Sequence, residues 1–158
     1  MQPFQLSGIE SDPFEPLFLL SDEQLKAQGA LRTTATESPG FPCRISLEDA
    51  NVGEELLLLP YPHQPADSPY RASGPIFVRR HAKRRVLEIG EVPAYVTRRQ
   101  ISLRAYDSTH MMVDASVCEG RAVATELDRY FSNAAVEYVH LHNAKRGCFS
   151  CLATRVVK

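Results

Sequence analysis

The stretch Gln100-Ile101-Ser102-Leu103-Arg104-Ala105-Tyr106-Asp107 alternates apolar and polar side chains. Ile101, Leu103 and Ala105 fall on one face, Ser102, Arg104 and Tyr106 on the other. A period of two marks a half-buried strand. Asp107-Ser108-Thr109-His110 supplies a turn and Met111 to Glu119 alternates again, so the two runs predict an antiparallel hairpin ended by Gly120. From Ala122 to Ser132 the period changes. Val123, Leu127, Tyr130 and Phe131 recur at helical spacing as one apolar stripe, Glu126, Asp128 and Arg129 point outward, and Asn133 suits a left-handed helix stop.

Toward the C-terminus, Val136 to His142 and Phe149 to Val157 read as two more strands, joined by Asn143 to Gly147. Toward the N-terminus, Ile76-Phe77-Val78 is a short strand entered through Ser73-Gly74-Pro75. The leucine-rich run Glu54 to Pro60 reads as a buried strand, and Arg44-Ile45-Ser46-Leu47 as an alternating one that turns at Glu48 to Gly53. Between these, Tyr61 to Tyr70 holds three prolines and is expected to be irregular, because proline lacks the amide donor. Prolines also break up the first forty residues. One short helix stands out there, about Asp22 to Gln28: Ser21 is its N-cap, Gln24 completes a capping box, and Gly29 stops it. The expected fold is α+β, a mostly antiparallel sheet with one main helix packed on it and a short N-terminal helix. A single domain over 1–158 is expected, with an irregular segment 1–40 and a strand-rich body 41–158.

Composition narrows the function classes. At 158 residues the chain can bury roughly two-thirds of its unfolded surface. Its 44% apolar and 23% charged residues are those of a globular protein. Eighteen basic against nineteen acidic residues leave a net charge of −1, which argues against a general electrostatic grip on nucleic acid or anionic membrane. The apolar run Leu56 to Leu59 is too short to span a bilayer. Met1-Gln2-Pro3-Phe4 lacks the basic start of a secretory signal, so a cytoplasmic location is expected. Four cysteines in a core of this size are not a disulfide scaffold, and Cys118 fits best as a small core residue.

Reactive side chains are densest from His140 to Cys151. His140 and His142, two apart on a strand, share a face, and a turn at Asn143 to Gly147 would return Cys148 beside them. His140, His142, Cys148 and Cys151 are a ligand set that tetrahedral Zn²⁺ accepts. Cys148 and Cys151 face opposite sides of an extended strand, so that set requires a turn or bulge. A thioredoxin-type site is not expected, because the residues after Cys151 are strand-like and offer no helix N-terminus. A nucleophilic thiol is the alternative. Cys148 has Gly147, Lys145 and Arg146 beside it, with His140 or His142 as base, and Cys43 sits in the stiff turn Ser38 to Arg44. Arg44, Arg71 and Arg104 offer guanidinium forks to an anion, and Tyr70-Arg71-Ala72-Ser73-Gly74-Pro75 adds backbone amides and a hydroxyl. The run Arg79 to Arg85 lacks interleaved aromatics and reads as a solvated loop.

The stretches Pro39 to Arg44, Ser68 to Val78, Leu103 to Asp107 and His142 to Cys148 resemble those of a bacterial domain-of-unknown-function family, number 1203, over about Phe14 to Val157. The resemblance implies a stand-alone bacterial protein of this size and carries over no activity, cofactor or catalytic residue. Because it concentrates in irregular segments, these are expected to meet at one pocket on the sheet edge. Cys43, His142 and Cys148 would be its soft or nucleophilic groups, and Arg44, Tyr70, Arg71, Ser73, Arg104 and Asn143 its ligand-holding groups. Three function classes follow: a module binding a small anionic molecule or a metal such as zinc, a thiol-dependent enzyme using Cys148 or Cys43, and an interaction domain without a site.

Overall fold

The computed structural model describes residues 1–157. Its ten strands form two five-stranded sheets. The first has the order β1 (Phe4–Ser7), β10 (Phe149–Arg155), β9 (Tyr138–Asn143), β7 (Gln100–Tyr106), β8 (Met112–Glu119) and is antiparallel throughout. The second has the order β2 (Leu31–Thr34), β5 (Glu55–Gln64), β6 (Ala72–Arg79), β3 (Pro42–Cys43), β4 (Glu48–Asp49), with β3 and β6 parallel. The fold is α+β, as the alternation patterns imply, with the strands divided between two sheets.

The β7–β8 hairpin and the helix after it follow the sequence pattern closely. Helix α3 (Val123–Phe131) lays Val123, Leu127, Tyr130 and Phe131 on the first sheet against Ile101, Leu103, Val139, Leu141, Cys151 and Ala153. The short helix α1 (Asp22–Ala27) carries the expected capping box between Ser21 and Gln24, and Gly29 ends it in the left-handed region at φ 74°. A second core under the second sheet gathers Phe14, Phe18, Leu25, Cys43, Leu57, Leu59, Ile76 and Val78. A further short helix, α2 (Ala94–Thr97), follows Pro93 and buries Tyr95 and Val96.

Two local expectations are corrected. Arg44 to Leu47 is a turn, not a strand. The two sheets meet here, so its alternation serves two cores: Ile45 enters the second and Leu47, at φ 53°, the first. Strand β5 runs on through Pro60 and Pro62 to Gln64, where an irregular segment was expected. Pro60 lies opposite Pro75, so neither missing amide breaks a ladder bond at that rung, and the register shifts between Tyr61 and Gln64. This extension matters most for function, because it carries β5 beyond its own sheet and over the first.

Candidate functional site

On the first sheet, β9 alternates: Val139 and Leu141 face α3, so His140 and His142 project from the opposite face. Strand register sets three rungs across that face. Tyr106, Tyr138 and Thr154 make one, Arg104, His140 and Leu152 the next, and Ser102, His142 and Phe149 the third. The face would lie open but for β5. The parity that points Leu57 and Leu59 into the second core continues to Tyr61 and His63. His63 stacks on Phe149, with ring planes 8° apart and centroids 5.7 Å apart. Its ring meets His142 edge-on at 4.9 Å and lies 6.2 Å from His140. Tyr138 and Tyr106 stack at 5.2 Å beside them.

Burial leaves these imidazoles uncharged. His140 is pushed down to about 3, first by loss of water and then by the neighbouring His142, His63 and Arg104. His142 is pushed down to about 4, again mainly by burial, although the carbonyl of Gly147 opposes the shift. His63 is lowered by burial and then by Arg104. The Nδ1 of His142 lies 2.9 Å from the Gly147 carbonyl, which only accepts, so Nδ1 holds the proton and Nε2 is bare. That Nε2, together with Nδ1 of His63 and of His140, is buried without a hydrogen-bond partner. Arg104, beside His140 on β7, has no carboxylate within ion-pairing distance among the described residues. Next to the histidines opens a cleft of about 700 Å³, walled by His63, Gln64, His110, Tyr138, His140 and Leu152 among others.

The expected site residues divide. His140, His142 and Arg104 come together, with Tyr70 meeting Tyr106 edge-on at 6.2 Å. The two-histidine, two-cysteine zinc set does not form. The β10 register shifts between Phe149 and Cys151, which turns Cys151 into the α3-side core, where burial pushes its thiol up to about 12. Among the described residues no group of three or more His, Cys, Asp or Glu side chains is arranged to hold a metal ion. Cys43 lies fully buried in the second core, its sulfur accepting the Arg79 amide at 3.3 Å. Cys148 stands half-buried at the end of the β9–β10 turn. Neither thiol is hydrogen-bonded to His142, whose one polar link is to Gly147. Arg44 is 2% exposed, and its guanidinium is taken up by the carbonyls of Phe149 and Pro42. Arg71 and Ser73 are exposed, Ser73 in a smaller groove with Pro60 and Pro75. Asn143 shares the parity of Leu141, away from the histidines, its Oδ1 buried and unpartnered. In the basic run, Arg79, Arg80, Arg84 and Arg85 pair with Glu54, Glu55, Glu10 and Glu91.

Sequence reasoning passed over His63, Gln64, His110 and Tyr138. The signal for the first was the period-two series Leu57, Leu59, Tyr61, His63, which the prolines at 60 and 62 masked. No helix among the described residues is long and apolar enough to cross a membrane. No curated protein and no solved structure matches the chain. A family model described as protein of unknown function (DUF1203) matches residues 40–155, which takes in β3 to β10 and with them every residue of the histidine cleft named above, so the chain belongs to the DUF1203 family.

Proposed function

We propose that the chain is a small-molecule-binding module, folded as a single domain, whose ligand carries an anionic group and occupies the cleft against His63 and His140. One observation carries this reading: half-buried His63 and buried His140, which line the cleft, and buried His142 are uncharged, each with an unpartnered ring nitrogen, and they stand beside the unpaired guanidinium of Arg104. A buried polar atom without a partner costs about 1–3 kcal/mol, so native proteins keep few of them outside sites that a ligand or water completes. An unpaired arginine among neutral acceptors favours an anion that also offers a hydroxyl or amine hydrogen. The four free cysteines suit a reducing bacterial cytoplasm, where thiols stay unpaired.

Thermal unfolding with benzoate or inorganic phosphate tests the reading. A binding anion at a hundred times its Kd stabilises the fold by about 2.7 kcal/mol. Arg104→Gln should remove most of that gain. If neither anion raises the melting temperature, or if Arg104→Gln leaves the gain intact, the reading fails.

A further inference from the structure

We infer that Tyr138 and His110 form a proton relay, which makes Tyr138 the hydrogen-bond and proton donor to an anion held in the cleft; the inference rests on the binding reading above. Gln64 is buried at the end of β5. Its Oε1 accepts the Ala66 amide at 3.3 Å, and that contact fixes which way the side-chain amide points. Nε2 therefore faces the Tyr138 hydroxyl, 2.9 Å away, and can only donate to it. The phenol's own proton must go elsewhere. Nδ1 of His110 lies 2.8 Å from the same oxygen. While His110 is neutral, Tyr138 donates to Nδ1 and the ring keeps its proton on Nε2.

A second proton on His110 reverses this bond. Nδ1–H then donates to the phenol oxygen, whose two lone pairs are now taken by Gln64 and His110. The Tyr138 proton has to turn away from both partners, and all three residues line the cleft. In the transfer step the Tyr138 O–H bond breaks as its proton joins a lone pair of the bound molecule. The Nδ1 proton of His110 passes to the phenolate oxygen, and the imidazole regains a proton from water. No electrons change hands.

The hairpin tip holds His110 in place for this role. Asp107 Oδ1 accepts from the Thr109 amide and hydroxyl and from the Met111 amide, and His110 itself sits in the left-handed region at φ 65°. A non-glycine residue stays there only when its surroundings dictate it. The titratable and charged groups facing the pair are Asp107 on the tip, Tyr106 on β7, Glu137 beside Tyr138, Arg155 on β10, and His63 and His140 across the cleft.

Two measurements test the relay. In ligand-free protein, long-range ¹H–¹⁵N spectra should show neutral His110 protonated on Nε2 over Nδ1 by about tenfold, and Tyr138→Phe should shift that ratio. With benzoate, whose charge is constant across the range, affinity should rise about tenfold as His110 takes its second proton, and Tyr138→Phe should flatten the rise. Neutral His110 protonated on Nδ1, or a ratio unmoved by Tyr138→Phe, overturns the relay. So does a benzoate profile that is flat in the natural protein, or equally steep in Tyr138→Phe, where only the charge of His110 remains. If benzoate fails to bind at all, the binding reading falls for aryl carboxylates and the donor role falls with it, while the spectra still report the direction of the Tyr138–His110 bond.

Discussion

His63 stacks on Phe149 with their planes 8° apart, and through that contact the second sheet roofs the histidine row of the first. The pair joins β5 to β10, two strands that share no ladder. The cleft therefore exists only because β5 outruns its own sheet. Burial is the leading cause of the lowered proton affinity of His140 and His142, and His63 supplies part of that cover.

Truncating the roof tests that account. His63→Ala should cost about 1 kcal/mol through the lost ring pair, a modest fraction of a domain's stability. The larger effect is electrostatic. Water reaching His140 and His142 should raise both midpoints toward the ordinary imidazole value, as followed by proton NMR titration. Midpoints that stay put in His63→Ala would mean that the sheet face alone excludes water.

The same two histidines set an acid limb of stability. Their affinities are lower in the fold than in the unfolded chain, so below pH 6.5 the unfolded state binds more protons. Stability is full above about 6.5 and falls with acid until the folded groups themselves protonate at about 4 and about 3. The slope is on the order of 1 kcal/mol per pH unit for each histidine. Carboxylates act lower. Glu55, held down by hydrogen bonds from Arg80 and then Arg32, starts to contribute its loss only near its ordinary 4.5. Denaturant melts at pH 7, 6 and 5 separate the two, and replacing both histidines with phenylalanine should flatten that interval.

How much of this was legible in the sequence depends on range. Hairpin β7–β8 and helix α3 are local: each pattern is complete within a dozen residues, and the chain obeys it. His140 and His142 were legible as a pair because strand parity is local too. The roof was not. The period-two series does run on through Tyr61 and His63, but Pro60 and Pro62 mask it, and nothing local says that the strand lands on β9 and β10. Cys151 misled for a similar reason. Its spacing from Cys148 suits a ligand pair, but the register shift after Phe149 sends its side chain into the α3 core. Long-range packing fixes both outcomes, and a motif carries no record of it.

Thiol reactivity should rank by burial. Cys43 and Cys151 are enclosed, and burial holds the Cys151 thiol at about 12, so almost no thiolate forms at neutral pH. Cys118 is raised by burial and then by Glu126 and Glu119. Titration with an aromatic disulfide should modify Cys148 first. Cys43 and Cys151 should react at least about a hundredfold more slowly, at a rate set by opening of the fold. Fast labelling of Cys43 in folded protein would revive the nucleophile reading that its packing argues against.

Arg44 makes the sharpest stability test, because its charge is buried with no carboxylate partner among the described residues. Its Nε donates to the Phe149 carbonyl at 2.7 Å and its Nη1 to the Pro42 carbonyl at 2.5 Å, tying the β10 bulge of the first sheet to β3 of the second. Arg44→Met removes the buried charge, which on its own would help. It also strands the Phe149 carbonyl, at about 1–3 kcal/mol, and takes one of two donors from the Pro42 carbonyl, which keeps the Phe77 amide of the β3–β6 ladder. The Phe149 oxygen lies where the ladder register shifts, so no strand partner can replace the guanidinium. The lost hydrogen bonds should win, for a net loss of about 1–3 kcal/mol in chemical denaturation. Arg44→Lys should recover only part of it, since one ammonium lacks the planar fork that reaches both oxygens. A methionine variant as stable as the natural protein would mean that the two sheets are held together by apolar packing alone.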